Sequence, residues 1–129
     1  HTSCDEITAI LTNAILDDDA YTRQTRTWNF ENSCWDDKEL TNAPFKSGDK
    51  MIALVNGLGG TPLSELYGVY RKMHQICESK NIEISRKIIG SYITALDMQG
   101  CSITLVKVDD EILKLWDAPV KTPGLRWGL

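Results

Sequence analysis

The residues best placed to do chemistry are Asn56, Gly57, Gly59, Gly60 and Thr61, inside the run Val55-Asn-Gly-Leu-Gly-Gly-Thr-Pro-Leu-Ser-Glu-Leu-Tyr67. A short apolar stretch, Met51-Ile-Ala-Leu-Val55, feeds a loop with three glycines in four positions, and a helix start follows at once. Junctions of this kind converge backbone N–H groups, which hold an anion or allow close packing against another element. The loop is not a P-loop, because no lysine follows the glycines, and its third position departs from the dinucleotide fingerprint. Two uses stay open. A tight turn for strand–helix packing is the simpler, and an anion site at the helix N-terminus is the other.

No other group assembles an active site. Gly90-Ser-Tyr-Ile-Thr-Ala-Leu-Asp-Met-Gln-Gly100 offers hydroxyls and the Asp97 carboxylate, yet no histidine lies near enough in sequence for a Ser-His-Asp arrangement. It reads as a strand edge or connecting loop. His74 falls on the flank of a helix, and His1 is terminal and carries no chemistry. Asp109-Asp110-Glu111 has the look of a metal-binding run, but at a helix start capping and dipole interactions explain it. Asp17-Asp18-Asp19 reads as a helix stop and a solvated turn. The cysteines at 4, 34, 77 and 101 have no zinc spacing, so no metal site is expected. Cys77 and Cys101 sit in apolar surroundings and read as buried thiols.

These residues need elements to position them. Ile7, Ile10, Leu11, Ala14 and Ile15 recur at helical spacing behind Asp5 and Glu6, which suit a helix N-terminus. Residues 20–48 are the least regular part. Tyr21–Phe30 alternates as a strand does, and Trp28, Phe30, Trp35 and Phe45 are expected either to cover a neighbouring surface or to stand exposed. Lys50–Asn56 reads as a central strand covered on both faces. Thr61 is the expected N-cap and Pro62 the first residue of a helix over 62–79, with Leu63, Leu66, Tyr67, Tyr70, Met73 and Cys77 on one face. The chain becomes extended again at 81–84, with a further strand over 86–92. Cys101–Val108 alternates and is β-rich. Asp109 caps a last helix whose Ile112, Leu113, Leu115 and Trp116 pack inward, and an irregular tail follows Pro119 and Pro123. A strand, helix and strand over 50–84 favour a parallel crossover. The expectation is one domain over 1–129: an α/β (α+β) fold of three layers, with a mixed sheet flanked by helices.

The chain of 129 residues is 42% hydrophobic and 25% charged, which is ordinary for a globular domain. A net charge of −4 argues against a nucleic-acid partner. No apolar run approaches the ~20 residues of a membrane span. Unpaired cysteine usage suggests a reducing, cytoplasmic compartment. The start, His1-Thr-Ser-Cys-Asp-Glu6, has neither an initiator Met nor a signal-peptide pattern, so the chain is expected to be cut from something longer.

Three segments carry a resemblance. Ile52-Ala-Leu-Val-Asn-Gly-Leu-Gly-Gly-Thr-Pro-Leu-Ser-Glu-Leu-Tyr-Gly-Val-Tyr70 is similar to the C-terminal half of the dihydroxyacetone-binding K subunit of the dihydroxyacetone (glycerone) kinases. So are Ile89-Gly-Ser-Tyr-Ile-Thr-Ala-Leu-Asp-Met-Gln-Gly-Cys-Ser-Ile-Thr-Leu-Val-Lys-Val-Asp-Asp-Glu111 and Leu115-Trp-Asp-Ala-Pro-Val-Lys-Thr-Pro123. Thr25-Arg-Thr-Trp28 and Ser47-Gly-Asp49 resemble it more weakly.

The resemblance implies a subunit that captures dihydroxyacetone as a hemiaminal on a histidine nitrogen. The phosphoryl group would come from ADP on a partner L subunit, recharged from phosphoenolpyruvate through the phosphotransferase system. In single-chain relatives of the family it comes from ATP. The family's nucleophilic histidine stands in a Gly-x-His-Gly-Glu setting that would fall upstream of His1, with the other substrate-handling residues further upstream still. No catalytic or substrate-binding residue therefore carries over to this chain, and no cofactor is expected in it. The implied partners are the N-terminal half of the same subunit, the L subunit, dihydroxyacetone and a second copy in a homodimer. The alternatives are a fragment of an ATP-dependent glycerone kinase and a free-standing anion-binding or oligomerisation module.

Overall fold

The computed structural model describes residues 2–18, 22–41 and 45–128. His1, Asp19 and Tyr21, which carried expectations above, lie outside them. The elements are α1 (Cys4–Leu16), β1 (Thr22–Asn29), β2 (Cys34–Thr41), β3 (Lys50–Gly57), α2 (Leu63–Ser79), β4 (Glu83–Gly90), β5 (Cys101–Val108), α3 (Asp110–Trp116), β6 (Val120–Lys121) and β7 (Arg126–Trp127).

β3 is the hub, as its continuous apolar run requires. It pairs parallel with β4 and antiparallel with β5, giving a mixed sheet in the order β4-β3-β5. The expected β–loop–α–β unit is present. The strand expected from 86 is in fact continuous with the extended start. Met51 pairs with Ile84 and Ile52 with Arg86, so a register shift absorbs Ser85 and one strand replaces two. Before it, α2 stops where Asn81 turns left-handed (φ 54°). The amides of Asn81 and Ile82 then bond back to the carbonyls of Glu78 and Cys77.

Side chains alternate along β3. Met51, Ala53 and Val55 face α2 and meet Leu66, Val69, Met73 and Cys77 in the core. Leu63 and Tyr67, placed by periodicity on that inward face, are exposed instead.

α1 also differs from expectation. Its buried residues are Thr8, Thr12 and Leu16, whereas Ile7, Ile10, Leu11 and Ala14 are exposed. The helix lies along α2 by its small face. Cys4 Sγ stands 3.6 Å from where a side chain on Gly68 would begin, and Thr8 satisfies its hydroxyl on the Cys4 carbonyl at 2.7 Å. The start is fixed by a capping box between Ser3 and Glu6, and the stop is Asp17, held by Lys80 at 2.5 Å.

On the opposite face of the sheet lies α3. Asp109 caps it, accepting from the Ile112 amide. Arg86 clamps its end through two bonds to Asp117, at 2.7 and 2.6 Å. Ile112 and Leu115, expected inward, are exposed. The short helix covers one corner of the sheet, and Val106 and Thr104 beside it stay open to solvent. The tail is not irregular: β6 and β7 pair, and Trp127 stacks on Trp116 with centroids 5.4 Å apart. The architecture is α+β, with helices on both faces of a mixed sheet.

β1 and β2 form an antiparallel hairpin that the sequence reading missed, having foreseen only its first strand. Among the described residues it joins no other strand. Its turn is built by Asn29, whose Oδ1 accepts from the Glu31 and Asn32 amides, with Ser33 left-handed (φ 49°). Trp28, Phe30 and Trp35 are exposed, while Phe45 packs on the core.

Candidate functional site

β3 delivers the glycine loop to the C-terminal edge of its parallel pair with β4. That edge is where open α/β sheets place their ligands. Residues 91–100, the link from β4 to β5, fold over the same end. The two segments grip each other. Leu58 and Gly60 donate their amides to the carbonyls of Gly100 (3.1 Å) and Met98 (2.8 Å), and the Ala95 amide donates to Leu58 (2.8 Å).

Asn56 anchors the start of the covering segment. It is 2% exposed, accepts from the amides of Tyr92 and Ile93, and donates to the Ile93 carbonyl. One side chain thereby satisfies three backbone groups. Thr61 anchors the other end. Its hydroxyl accepts from the Gly100 amide at 2.8 Å and donates to the Gly100 carbonyl at 3.0 Å. The helix cap expected of Thr61 is not made. The cap position falls on Pro62, which offers no side-chain bond, because the hydroxyl is used across the loop instead.

Gly59 explains the glycine requirement. Its φ is +126°, and a Cβ there would stand 1.9 Å from the Leu96 carbonyl oxygen. Leu96 is itself left-handed (φ 55°) and 93% exposed, so this close approach holds an apolar side chain out in water. Tyr92, Ile93, Met98 and Leu63 are exposed around it.

A half-open cavity of about 370 Å³ adjoins the loop, between α1, α2 and the start of β5. Cys4, Thr8, Glu65, Val69, Gln99 and Cys101 line it. Burial pushes the Cys101 thiol above its ordinary value, so at neutral pH it stays a weak nucleophile. Cys77 is raised by burial as well, and all four cysteines are free thiols. The cavity could not be read in advance, because its lining comes from three separated segments.

His74 is exposed on α2 and leans on Tyr70 with centroids 5.9 Å apart. Asp97 lies in the covering loop, and Asp109 is occupied as a cap. Among the described residues no group of three His, Cys, Asp or Glu side chains could hold a metal. None of their helices is long and apolar enough to cross a membrane.

Residues 1–124 match the family described as the Dak1 domain. The chain belongs to that family. This Dak1 chain is 49% identical over 126 residues, 98% of its length, to "PEP-dependent dihydroxyacetone kinase, dihydroxyacetone-binding subunit DhaK" of Escherichia coli strain K12. Over 60% of its length it is 43% identical to "PTS-dependent dihydroxyacetone kinase 2, dihydroxyacetone-binding subunit DhaK" of Listeria innocua. Over 64% it is 35% identical to "Triokinase/FMN cyclase" of Rattus norvegicus. The Dak1 chain spans 35% of the length of the Escherichia coli relative and less of the others.

Proposed function

We propose that this Dak1 chain is the C-terminal part of a dihydroxyacetone-binding kinase subunit, which presents dihydroxyacetone for phosphorylation to dihydroxyacetone phosphate in the cytoplasm. The observation that carries the reading is the 49% identity to the Escherichia coli dihydroxyacetone-binding subunit across nearly all of this chain. Two structural features support a piece of a larger assembly. The apolar stripe of α1 (Ile7, Ile10, Leu11) is uncovered, and so is the apolar rim of the glycine loop (Leu63, Ile93, Leu96, Met98). Large exposed patches of this kind are interaction sites. The N-terminal half of the subunit and an ADP-bearing L subunit are the occupants that fit the reading, with a second copy completing a homodimer.

The donor in this reading is phosphoenolpyruvate, relayed through the phosphotransferase system. The higher identities go to relatives named as PEP- or PTS-dependent, ahead of the triokinase. The glycine loop serves as a brace: Asn56, Gly57, Gly59, Gly60 and Thr61 hold the β4–β5 link in place for the rest of the subunit. A second use, holding an anion at the start of the 17-residue helix α2, rests on the helix dipole. Inorganic phosphate would then shift the amide signals of Gly59 and Thr61, and unmoved signals would remove that use.

The covalent chemistry belongs to a histidine outside these 129 residues. The test is mass spectrometry of the full-length protein and of this chain alone, each incubated with dihydroxyacetone. The full-length protein is expected to gain one intact triose on a histidine outside residues 1–129, and the chain alone none. An adduct on His74, or a full-length protein that neither traps nor phosphorylates the triose, overturns the reading.

A further inference from the structure

Two of the four free thiols open into one space. Cys4 and Cys101 both line the half-open cavity between α1, α2 and the start of β5, although one begins the first helix and the other begins the last strand of the main sheet. Cys4 follows the Ser3 cap of α1 and is exposed. Its Sγ rests over Gly68 of α2, where the missing side chain lets the two helices approach closely. Cys101 stands opposite Gly57 in the antiparallel register of β3 and β5. Alternation along β5 puts Cys101, Ile103 and Leu105 on the face that packs against the core, toward α2. Val69, next to Gly68 on α2, lines the cavity with both cysteines. Burial holds the Cys101 thiol above its ordinary value, and nearby Cys4 pushes in the same direction.

The other two cysteines are placed elsewhere. Cys77 is fully buried further along α2, roughly 13 Å from Gly68 along the helix axis. Cys34 opens β2, in the hairpin that joins no strand of the main sheet among the described residues. Only Cys4 and Cys101 thus combine an exposed thiol with a half-buried one in a shared cavity. Unequal access of this kind suits an oxidant-sensing thiol and the thiol that resolves it.

We propose that Cys4 and Cys101 form a redox pair, joined as a disulfide by hydrogen peroxide and separated again by a thiol reductant. Cys4, the accessible sulfur, attacks one peroxide oxygen. The O–O bond breaks, a first water leaves, and the sulfur becomes a sulfenic acid. The Cys101 sulfur then attacks the Cys4 sulfur. The S–O bond breaks, the hydroxyl leaves with the Cys101 proton as a second water, and the S–S bond forms. Two thiols lose two electrons and two protons, and one peroxide is reduced to two waters. A weak nucleophile suffices for the second step, because the two sulfurs are held in one cavity. The bond ties the first turn of α1 to the residue after Gly100, whose amide and carbonyl Thr61 grips. Oxidation thereby locks α1 to the braced end of the sheet.

The test needs no variant. The full-length protein is treated with hydrogen peroxide in its native state. Remaining thiols are blocked with N-ethylmaleimide before unfolding, and the digest is mapped by mass spectrometry without reductant. A linked Cys4–Cys101 peptide is expected to rise about tenfold or more over the untreated protein and to vanish after dithiothreitol. Cys101→Ser removes the resolving thiol, so labelling of a Cys4 sulfenic acid by dimedone is expected to increase about threefold or more. Cys34→Ser is expected to leave the linked peptide unchanged. The proposal fails if peroxide leaves Cys4 and Cys101 in separate peptides, or joins Cys4 to Cys34, Cys77 or a cysteine outside residues 1–129. It fails equally if the link appears only when blocking follows unfolding, or if Cys101→Ser leaves dimedone labelling of Cys4 unchanged.

Discussion

The glycine loop after β3 and the hairpin before it are both tight reversals of the chain, but they are held in opposite ways. The loop is gripped by residues nearly forty positions away: Asn56 by 92–93 and Thr61 by Gly100. Among the described residues the hairpin pairs only with its own partner strand. Long-range satisfaction of buried backbone groups makes the loop part of the core, whereas the hairpin's groups are local and its apolar side chains stand in water. The first region is therefore finished within this chain. The second stands apart from the core, paired only with itself among the described residues.

The sharpest way to break the comparison is at Gly59. Gly59→Ala puts a Cβ into the Leu96 carbonyl and imposes a left-handed φ on alanine. Backbone strain and overpacking together are expected to cost on the order of 4 kcal/mol or more, enough to leave the chain unfolded. Circular dichroism and chemical denaturation would read it. A folded Gly59→Ala chain of ordinary stability would mean that the covering segment does not press on the loop at all.

A paired measurement sharpens the contrast. Leu66→Ala empties a site with no exposure and is expected to cost about 3 kcal/mol. Phe30→Ala, at a hairpin tip that is 87% exposed, is expected to change the stability of the isolated chain by less than about 0.5 kcal/mol. Equal losses would show that the tip is packed in solution. Between these extremes stands Asn56→Ala, which strands two amides and one carbonyl of residues 92–93 and is expected to cost about 1–3 kcal/mol. Faster amide exchange at Tyr92 and Ile93 would accompany that loss. Unchanged exchange there would mean that the covering segment is held without Asn56.

The same contrast decides what could be read from sequence. β3, α2 and β5 were legible because both the apolar pattern and the punctuation agree: a continuous run, a proline at a helix start, strict alternation over Cys101–Val108. The role of Thr61 was not, because a hydroxyl before a helix caps it by default, and only the fold shows that Gly100 is within reach. β2 was missed because Cys34–Thr41 carries Asp36, Asp37, Lys38 and Glu39, poor strand formers held extended by cross-strand pairs. The inward faces assigned to α1 and α3 erred for a single reason. Periodicity finds an apolar stripe but does not say which partner buries it, and Ile7, Ile10, Ile112 and Leu115 point away from this chain's own core. The five loop candidates were found by their glycines. Their brace partners were found only by the geometry.

The smallest effect expected is electrostatic, and it tests the finished side of the molecule. Asp49 joins the entry of β3 to β5: its carboxylate accepts from the Lys46 amide at 2.7 Å and pairs with Lys107 at 2.8 Å. The Lys107 hydrogen bond, aided by the Lys46 amide, holds Asp49 below its ordinary value of 3.8 against a smaller opposing effect of burial. A carboxylate depressed in the folded state contributes its stability above the unfolded value. That contribution is lost as the pH falls from about 4 through the lower folded value, when the proton breaks the pair. Asp117 is depressed by Arg86, and Glu6 by its bonds to Ser3, so both act in the same direction. The chain is therefore expected to lose stability on acidification below about pH 4. Asp49→Asn is expected to remove no more than about 1 kcal/mol at neutral pH and to flatten that acid limb. Denaturation midpoints measured across the range would check it. An Asp49→Asn chain with an unaltered acid limb would move the acid sensitivity to Asp117 and Glu6, on the exposed edges of the molecule, and away from the strand on which the whole sheet is built.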